Sequence, residues 1–245
     1  MSSVAEWFSA WFDSPYYHRL YQNRDYAEAR EFLSRLLAHL HPKPTDHLLD
    51  LACGKGRHAR YLSEQGFHVT GVDLSARSIA AARQFAHEHL HFHVHDMRAP
   101  LPYGPFDLVL NLFTSFGYFE EEAQNVVALR NAAAALRPGG KLVIDFLNTD
   151  RAIRELVAHE TKTVDGLDFH LHRHLHHDFI VKEIRFTDEQ GQEQHFEERV
   201  RALDAARFAE YFRMADLRLA ETLGDYHLGP FDPATSPRMI FVLKK

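Results

Sequence analysis

HLLDLACGKGRHARYLSEQGFHVTGVD, residues 47–73, is the stretch on which the fold turns. An apolar run (HLLDLA) enters a turn of small residues (CGKG), followed by a segment with helical spacing (RHARYLSEQ) and a second apolar run that ends in an acid (FHVTGVD). Strand, turn, helix and strand in that order make a βαβ unit. Outward from it the alternation continues, with SARSIAAARQFAHEH as a helix, LHFHVHD and FDLVLNLF as strands, EEEAQNVVALRNAAAALR as a helix, and KLVIDFLN as a strand after Pro138-Gly139-Gly140. Such alternation predicts a parallel sheet with right-handed crossovers and helices on both faces, and a ligand at the carboxyl ends of its strands.

Upstream, Leu33, Leu36, Leu37 and Leu40 share one helical face that Pro42 and Pro44 terminate, and Trp7, Phe8, Trp11 and Phe12 form an aromatic stripe at helical spacing. Downstream, DFHLHRHLHHDFIVKEIRFTD and EQHFEERVRAL alternate with period two, which predicts antiparallel strands. A helix (DAARFAEYFRMA) and two strands (LRLAETLGDYHL, RMIFVLKK) close the chain. The expected organisation is one domain: a helical cover over 1–44, a cofactor-binding core over 45–149, a β-rich substrate cap over 150–203, and a final helix and strand pair over 204–245.

Composition narrows the chemistry. The 245 residues are 45% hydrophobic and carry a formal charge of −6 without a basic stripe, which argues against a grip on nucleic acid and favours a small-molecule partner. Cys53 is the sole cysteine, no secretory leader is evident and no apolar run reaches the roughly 20 residues that span a bilayer. A cytoplasmic protein with no membrane partner is the expectation.

The loop Asp50-Leu51-Ala52-Cys53-Gly54-Lys55-Gly56 lets backbone approach a ligand and exposes the amides of a helix N-terminus. Gly54-x-Gly56-x-x-Ala59 also fits a dinucleotide fingerprint, with Asp73 placed for ribose hydroxyls, and a tight turn without a ligand satisfies the same pattern. Asp50 separates the ligand classes: beside a pyrophosphate it would repel, whereas it would attract a cationic, phosphate-free cofactor.

At this point the chain resembles the class I S-adenosylmethionine-dependent methyltransferases of the bacterial small-molecule type. The acid before a glycine-rich loop, GVDLS, HDM and Pro-Gly-Gly occur in the family's order and spacing over about residues 45–148, and the ending resembles its last strands. Ala52 stands where the family has its first loop glycine. The resemblance implies an α/β, Rossmann-like methyltransferase fold: a mostly parallel seven-stranded sheet with an antiparallel last strand, here with a small antiparallel β insertion after strand five. It implies S-adenosyl-L-methionine as cofactor, with Asp50, Gly54 and Gly56 around the methionyl part, Ala52 and Cys53 also in the cofactor-binding loop, and Asp73 on the ribose. Asp96 would receive the adenine amino group, Leu74 and Met97 would sandwich the base, and Asn111 and Leu112 would lie beside the sulfonium and amino group. Tyr16, Tyr17, Tyr21 and Arg24 match an N-terminal stretch of the family, which implies Tyr21 over the methionyl chain and Arg24 on the cofactor carboxylate.

The stretch NLFTSFGYF, with Phe113 and Tyr118, is expected to wall the substrate pocket, and Glu198, Arg199, Tyr226, His227 and Arg238 to face it; Tyr118 and His227 are the candidates for polarising an acceptor. A small-molecule acceptor is expected, nitrogen ahead of oxygen. The rival readings are a regulatory protein that binds the cofactor without turnover, an RNA methyltransferase, and an NAD(P)-dependent oxidoreductase. His170, His172, His174 and His176 fall on one strand face, but a second row (His87 to His95) among 19 histidines reads as compositional habit, so no metal is assigned. Cys53 has no obvious base and is expected to pack rather than react.

Overall fold

The computed structural model describes residues 7–22 and 26–245. Two short helices come first, α1 (Trp7–Phe12) and α2 (Pro15–Leu20), the second opened by Ser14, whose hydroxyl accepts the Tyr16 N–H, and by a proline at its first position. The leucine-striped α3 (Tyr26–Leu40) follows. The alternating core then runs β1 (His47–Leu51), α4 (Arg57–Glu64), β2 (His68–Asp73), α5 (Ala76–Ala82), β3 (Leu90–Val94), β4 (Phe106–Asn111), α6 (Glu122–Ala135) and β5 (Leu136–Leu147).

A one-turn-and-a-half helix, α7 (Thr149–Arg154), leads to four strands, β6 (His159–Val164), β7 (Leu167–His176), β8 (Phe179–Thr187) and β9 (Glu193–Arg201). The chain ends with α8 (Ala205–Met214), β10 (Arg218–Leu223) and β11 (Arg238–Lys244). Asp204 caps α8 by accepting the Arg207 N–H at 2.7 Å, which explains why the sequence switches from strand to helix there.

The main sheet has seven strands in the order β10-β11-β5-β4-β1-β2-β3. β1, β2, β3, β4 and β5 pair in parallel, and β11 lies antiparallel to both β5 and β10. This is the Rossmann-like methyltransferase arrangement expected from the sequence. β5 starts earlier than KLVIDFLN, because Leu136 already pairs with Phe106 before the Pro-Gly-Gly turn bulges out and the ladder resumes at Leu108 and Lys141.

From β1 the chain moves outward to β2 and β3, then returns to place β4 on the other side of β1. That reversal opens a crevice at the carboxyl ends of β1 and β4, the usual ligand position of an open α/β sheet. Phe32, Leu33 and Leu36 of α3 bury one face with Ala59, Leu62 and Ile79, while Val126, Leu129, Phe208 and Phe212 of α6 and α8 bury the other. β6, β7, β8 and β9 form a separate antiparallel sheet, whose inner face (Phe169, Leu171, Ile184, Phe186) packs on Trp11 and Leu20. The aromatic stripe is thus the mortar between the two sheets, as its helical spacing suggests. Among the described residues no helix is long and apolar enough to cross a membrane.

Candidate active site

The turn after β1 is held in shape by its neighbours. Ala52 (φ 66°), Gly54 (φ 55°) and Gly56 (φ 78°) all take left-handed backbone. For Ala52 that is a strained choice, which accounts for a glycine serving better at this point of the loop. A Cβ on Gly56 would stand 2.6 Å from the Phe92 ring, so this glycine is demanded by packing, whereas a Cβ on Gly54 would meet nothing within 4 Å. Gly54 therefore leaves open space at the face of the loop where a ligand can approach.

That space belongs to a cavity of about 360 Å³ at the carboxyl ends of β1 and β4, within the size range of small-molecule sites. Ala52, Cys53, Gly54 and Lys55 line it from the loop, Asp73 from the end of β2, and Leu112, Phe113, Ser115 and Tyr118 from the segment after β4. Phe12, Tyr17, His18 and Tyr21 cover it from the N-terminal helices, and Glu198 and Val200 close it from β9. Five separated stretches of sequence thus converge on one space.

Asp73 is built into the loop it faces. Its Oδ2 accepts the Gly54 N–H and its Oδ1 the Ser75 N–H, both at 2.8 Å. Burial pushes its carboxyl above the usual range, and these two donors oppose the shift. Asp50, by contrast, does not reach the cavity: it is 1% exposed and its Oδ2 accepts the N–H of Ala59 at 3.0 Å, in the first turn of α4. Asp50 and Gly56 are both expected from the sequence to surround a ligand; in the structure Asp50 lies behind the loop, and a Cβ on Gly56 would point at Phe92. Burial first, and Asp73 after it, raises the Asp50 carboxyl to about 7. Cys53 is buried, its thiol pushed up by the same burial and by both carboxylates, which leaves it unreactive.

The side chains expected around an adenine lie outside the cavity as well. Asp96 is gripped by Arg98, whose Nη2 donates to Oδ2 at 2.6 Å and whose Nε donates to both oxygens at 3.1 Å. Burial would raise the Asp96 carboxyl, yet Arg98 holds it below the usual range. The same guanidinium lies 4.9 Å from the Phe119 ring centre. Leu74 is exposed, Met97 packs beside the α6 core, and Asn111 is buried with its Nδ2 donating to the carbonyls of Leu51 and Ser115.

Of the polar residues expected at the mouth, Arg238 and Tyr226 belong to a buried clamp. Asp145, fully buried on β5, accepts Arg238 Nε at 2.7 Å, the Phe113 N–H at 2.7 Å and the Tyr226 hydroxyl at 3.2 Å. Arg238 also donates to Thr114 Oγ1 at 2.8 Å. The clamp fixes Phe113 and Thr114 in left-handed backbone (φ 56° and 58°), and so sets the cavity wall rather than touching it. His227 is exposed in the turn after β10 and Arg199 pairs with Glu120 at 2.7 Å and with Glu197 at 3.3 Å; neither lines the cavity. Tyr118 does line it, with its hydroxyl donated to the Thr114 carbonyl, so it presents a ring rather than a base. Arg24 lies outside the described residues.

Glu198 is a second acid that lines the space, in addition to Asp73. Its Oε1 accepts Trp11 Nε1 and the Tyr21 hydroxyl, both at 2.7 Å, and Lys182 pairs with Oε2. Burial would raise this carboxyl, and Lys182 together with the two donors keeps it lowered and ionised. Tyr16, on the same helix as Tyr17, turns away to Asp188. Two imidazoles escaped the sequence reading. His18, half-buried at the cavity, is lowered to about 4 by burial and by the positive charges of Lys55 and Arg77, and is therefore neutral at pH 7. His58 stacks on Phe113 with ring centres 4.9 Å apart. Only the pairing of α2 with the loop, invisible in a linear sequence, puts His18 here.

Comparison with known proteins agrees with this geometry. Residues 48–140 match the model of a methyltransferase domain family. Glycine N-methyltransferase of Rattus norvegicus is 31% identical over 54% of this chain and 50% of its own length. The dTDP-3-amino-3,6-dideoxy-alpha-D-glucopyranose N,N-dimethyltransferase of Streptomyces fradiae is 33% identical over 51% of this chain and 48% of its own. The chain spans about half the length of the curated relatives it matches. Among solved structures, a sugar N-methyltransferase from Streptoalloteichus superposes with a TM-score of 0.73 at 25% identity, covering 92% of this chain and 90% of that one. A methyltransferase from Clostridium acetobutylicum reaches a TM-score of 0.78 at 18% identity, covering 94% and 95%, a likeness of fold. The switch-point cavity and the glycine loop thus belong to a chain whose residues 48–140 match a methyltransferase domain family and whose fold is that of solved methyltransferases.

Proposed function

We propose that this chain binds S-adenosyl-L-methionine and transfers its methyl group to a small-molecule amine. The observation that carries the cofactor reading is the pairing of Asp73 with the Gly54 amide at the cavity wall, which sets a carboxylate for ribose hydroxyls beside a loop face with open space. The residues present fit such a cofactor: Asp73 lines the space for ribose hydroxyls, and Phe12, Tyr17, Tyr21 and Tyr118 line it with aromatic rings suited to a cationic ligand.

When bound, the cofactor supplies a methyl activated by a positive sulfur, so the protein needs no nucleophile of its own. The task left to the chain is alignment and exclusion of water. Phe12, Tyr17, Tyr21, Phe113 and Tyr118 give the cavity aromatic walls that exclude solvent and present negative ring faces to a cation. Glu198, ionised at the cavity, would accept a hydrogen bond from an amine that arrives unprotonated, the neutral ring of His18 can accept another, and the proton of the methylated product leaves to solvent. The relatives named for nitrogen methylation, on glycine and on an amino sugar, favour nitrogen over oxygen.

The test is transfer of labelled methyl from S-adenosylmethionine to matched panels of amines, amino sugars and alcohols. Product with amines supports the reading; product confined to alcohols overturns the acceptor assignment, and cofactor binding without any product favours a regulatory protein.

A further inference from the structure

We propose that His172, His174 and Glu183 form a binding site for a divalent metal ion of the zinc class on the outer face of the β6–β9 sheet. Nothing in the methyl-transfer reading uses these side chains. They arise from strand geometry: His172 and His174 stand two apart on β7 and share a face, and the β7–β8 register sets Glu183 directly opposite His172.

The three residues can each offer a donor atom within 4.8 Å of the other two, and among the described residues no other group of three His, Cys or carboxylate donors comes this close. His172 Nδ1 already lies 3.7 Å from Glu183 Oε1. Donors bound to one zinc at roughly 2.1 Å each lie at most about 4.2 Å apart, so small side-chain rotations close the set.

Two further observations point to a ligand rather than a solvated row. His174 Nδ1 is buried and has no hydrogen-bond partner among the described residues, a costly state for an imidazole nitrogen and one that coordination would relieve. The rings are also held in place: His159 stacks on His172 at 4.6 Å and 8°, and His172 on His174 at 5.0 Å and 27°. Little side-chain freedom is then lost on binding. The competitors are Arg185, which donates to Glu183 Oε2 at 2.8 Å, and His195, whose Nε2 lies 3.7 Å from the same oxygen; their side chains are 65% and 53% exposed, and such pairs contribute little. Two imidazoles and one carboxylate suit zinc, nickel or copper and discriminate against magnesium and calcium.

The opposite face of the same strands carries Leu171 and Ile184 against Trp11, while Lys182 and Glu198 face the cavity side. An ion here would join β7 to β8 without entering the cavity, a structural role independent of the methyl-transfer reading.

The test is calorimetric titration of the full, untagged chain with zinc chloride, beside the variants His172→Ala, His174→Ala and Glu183→Gln and the control His89→Ala/His91→Ala. One saturable site is expected, weakened roughly tenfold or more in each of the three variants and unchanged in the control. Zinc should also raise the melting midpoint of the wild type but not of the three variants. Should a variant fail to fold, cobalt absorption of the wild type decides: visible bands bleached by equimolar zinc support the site. A featureless cobalt spectrum, binding equal in all variants, or magnesium binding as tight as zinc overturns the proposal.

Discussion

Asp73 Oδ2 accepts the backbone N–H of Gly54 at 2.8 Å, so the acid at the end of β2 also shapes the loop that follows β1. One carboxylate thereby couples the end of β2 to the loop after β1, both of which line the cavity. Removing it should act on binding and on loop geometry together.

Asp73→Ala is expected to weaken S-adenosylmethionine binding by roughly 1.5–3 kcal/mol, the range for hydrogen bonds to a charged group. Titration calorimetry checks this, and Asp73→Asn should retain part of the affinity because it keeps an acceptor for Gly54. Unchanged affinity in both variants would remove Asp73 from the site.

Asp50 makes the protein's stability depend on pH. Its carboxyl is raised from an ordinary 3.8 to about 7, so the folded chain holds a proton that the unfolded chain gives up. Its contribution is favourable below about pH 4 and is lost as pH rises to about 7. Asp50→Asn keeps an acceptor for Ala59 and should flatten that decline, by on the order of 4 kcal/mol at most. Melting curves from pH 4 to 8 test it; identical slopes for the variant and wild type would contradict the assignment.

The Asp145–Arg238 pair is a stability element with a functional consequence. Arg238→Met or Asp145→Asn leaves the other member of a buried ion pair without its partner, a loss of about 3–5 kcal/mol. For a chain of this size that is a fall in melting midpoint of roughly 6–20 °C. Calorimetry measures it, and the variants should also lose affinity for the acceptor because Phe113 and Thr114 are released. A shift of less than a few degrees would mean that the clamp is not needed to hold the wall.

Glu198→Gln should raise the KM for an amine acceptor at least about tenfold while leaving cofactor affinity near wild type, since a charge-assisted contact to the acceptor is lost. Steady-state kinetics on an amine substrate, with binding measured separately, checks the split. Loss of cofactor affinity with KM unchanged would place Glu198 on the other ligand.

The parts of the site that were legible in sequence are those made by one short stretch. Gly54, Asp73 and Phe113 follow from the strand-turn-helix order, because an apolar period and a small-residue turn determine where each falls. The fold followed from the same alternation. What sequence left out depends on side-chain direction and on distant partners. Asp50 sits beside the loop in sequence yet points into α4, and Arg98, two residues from Asp96, covers it. The strand start at Arg238 suggests a place near the substrate, but its partner Asp145, 93 residues away, draws it into a buried pair. His18 reaches the cavity only through the docking of α2, and the turn after β10 carries His227 to the surface.

Titration of the purified chain with S-adenosylmethionine, S-adenosylhomocysteine and NADH in one buffer tests most directly whether the cavity takes S-adenosylmethionine. Micromolar binding of the first two with no NADH binding is the predicted result, whereas binding of NADH alone, or of none of the three, would contradict the account.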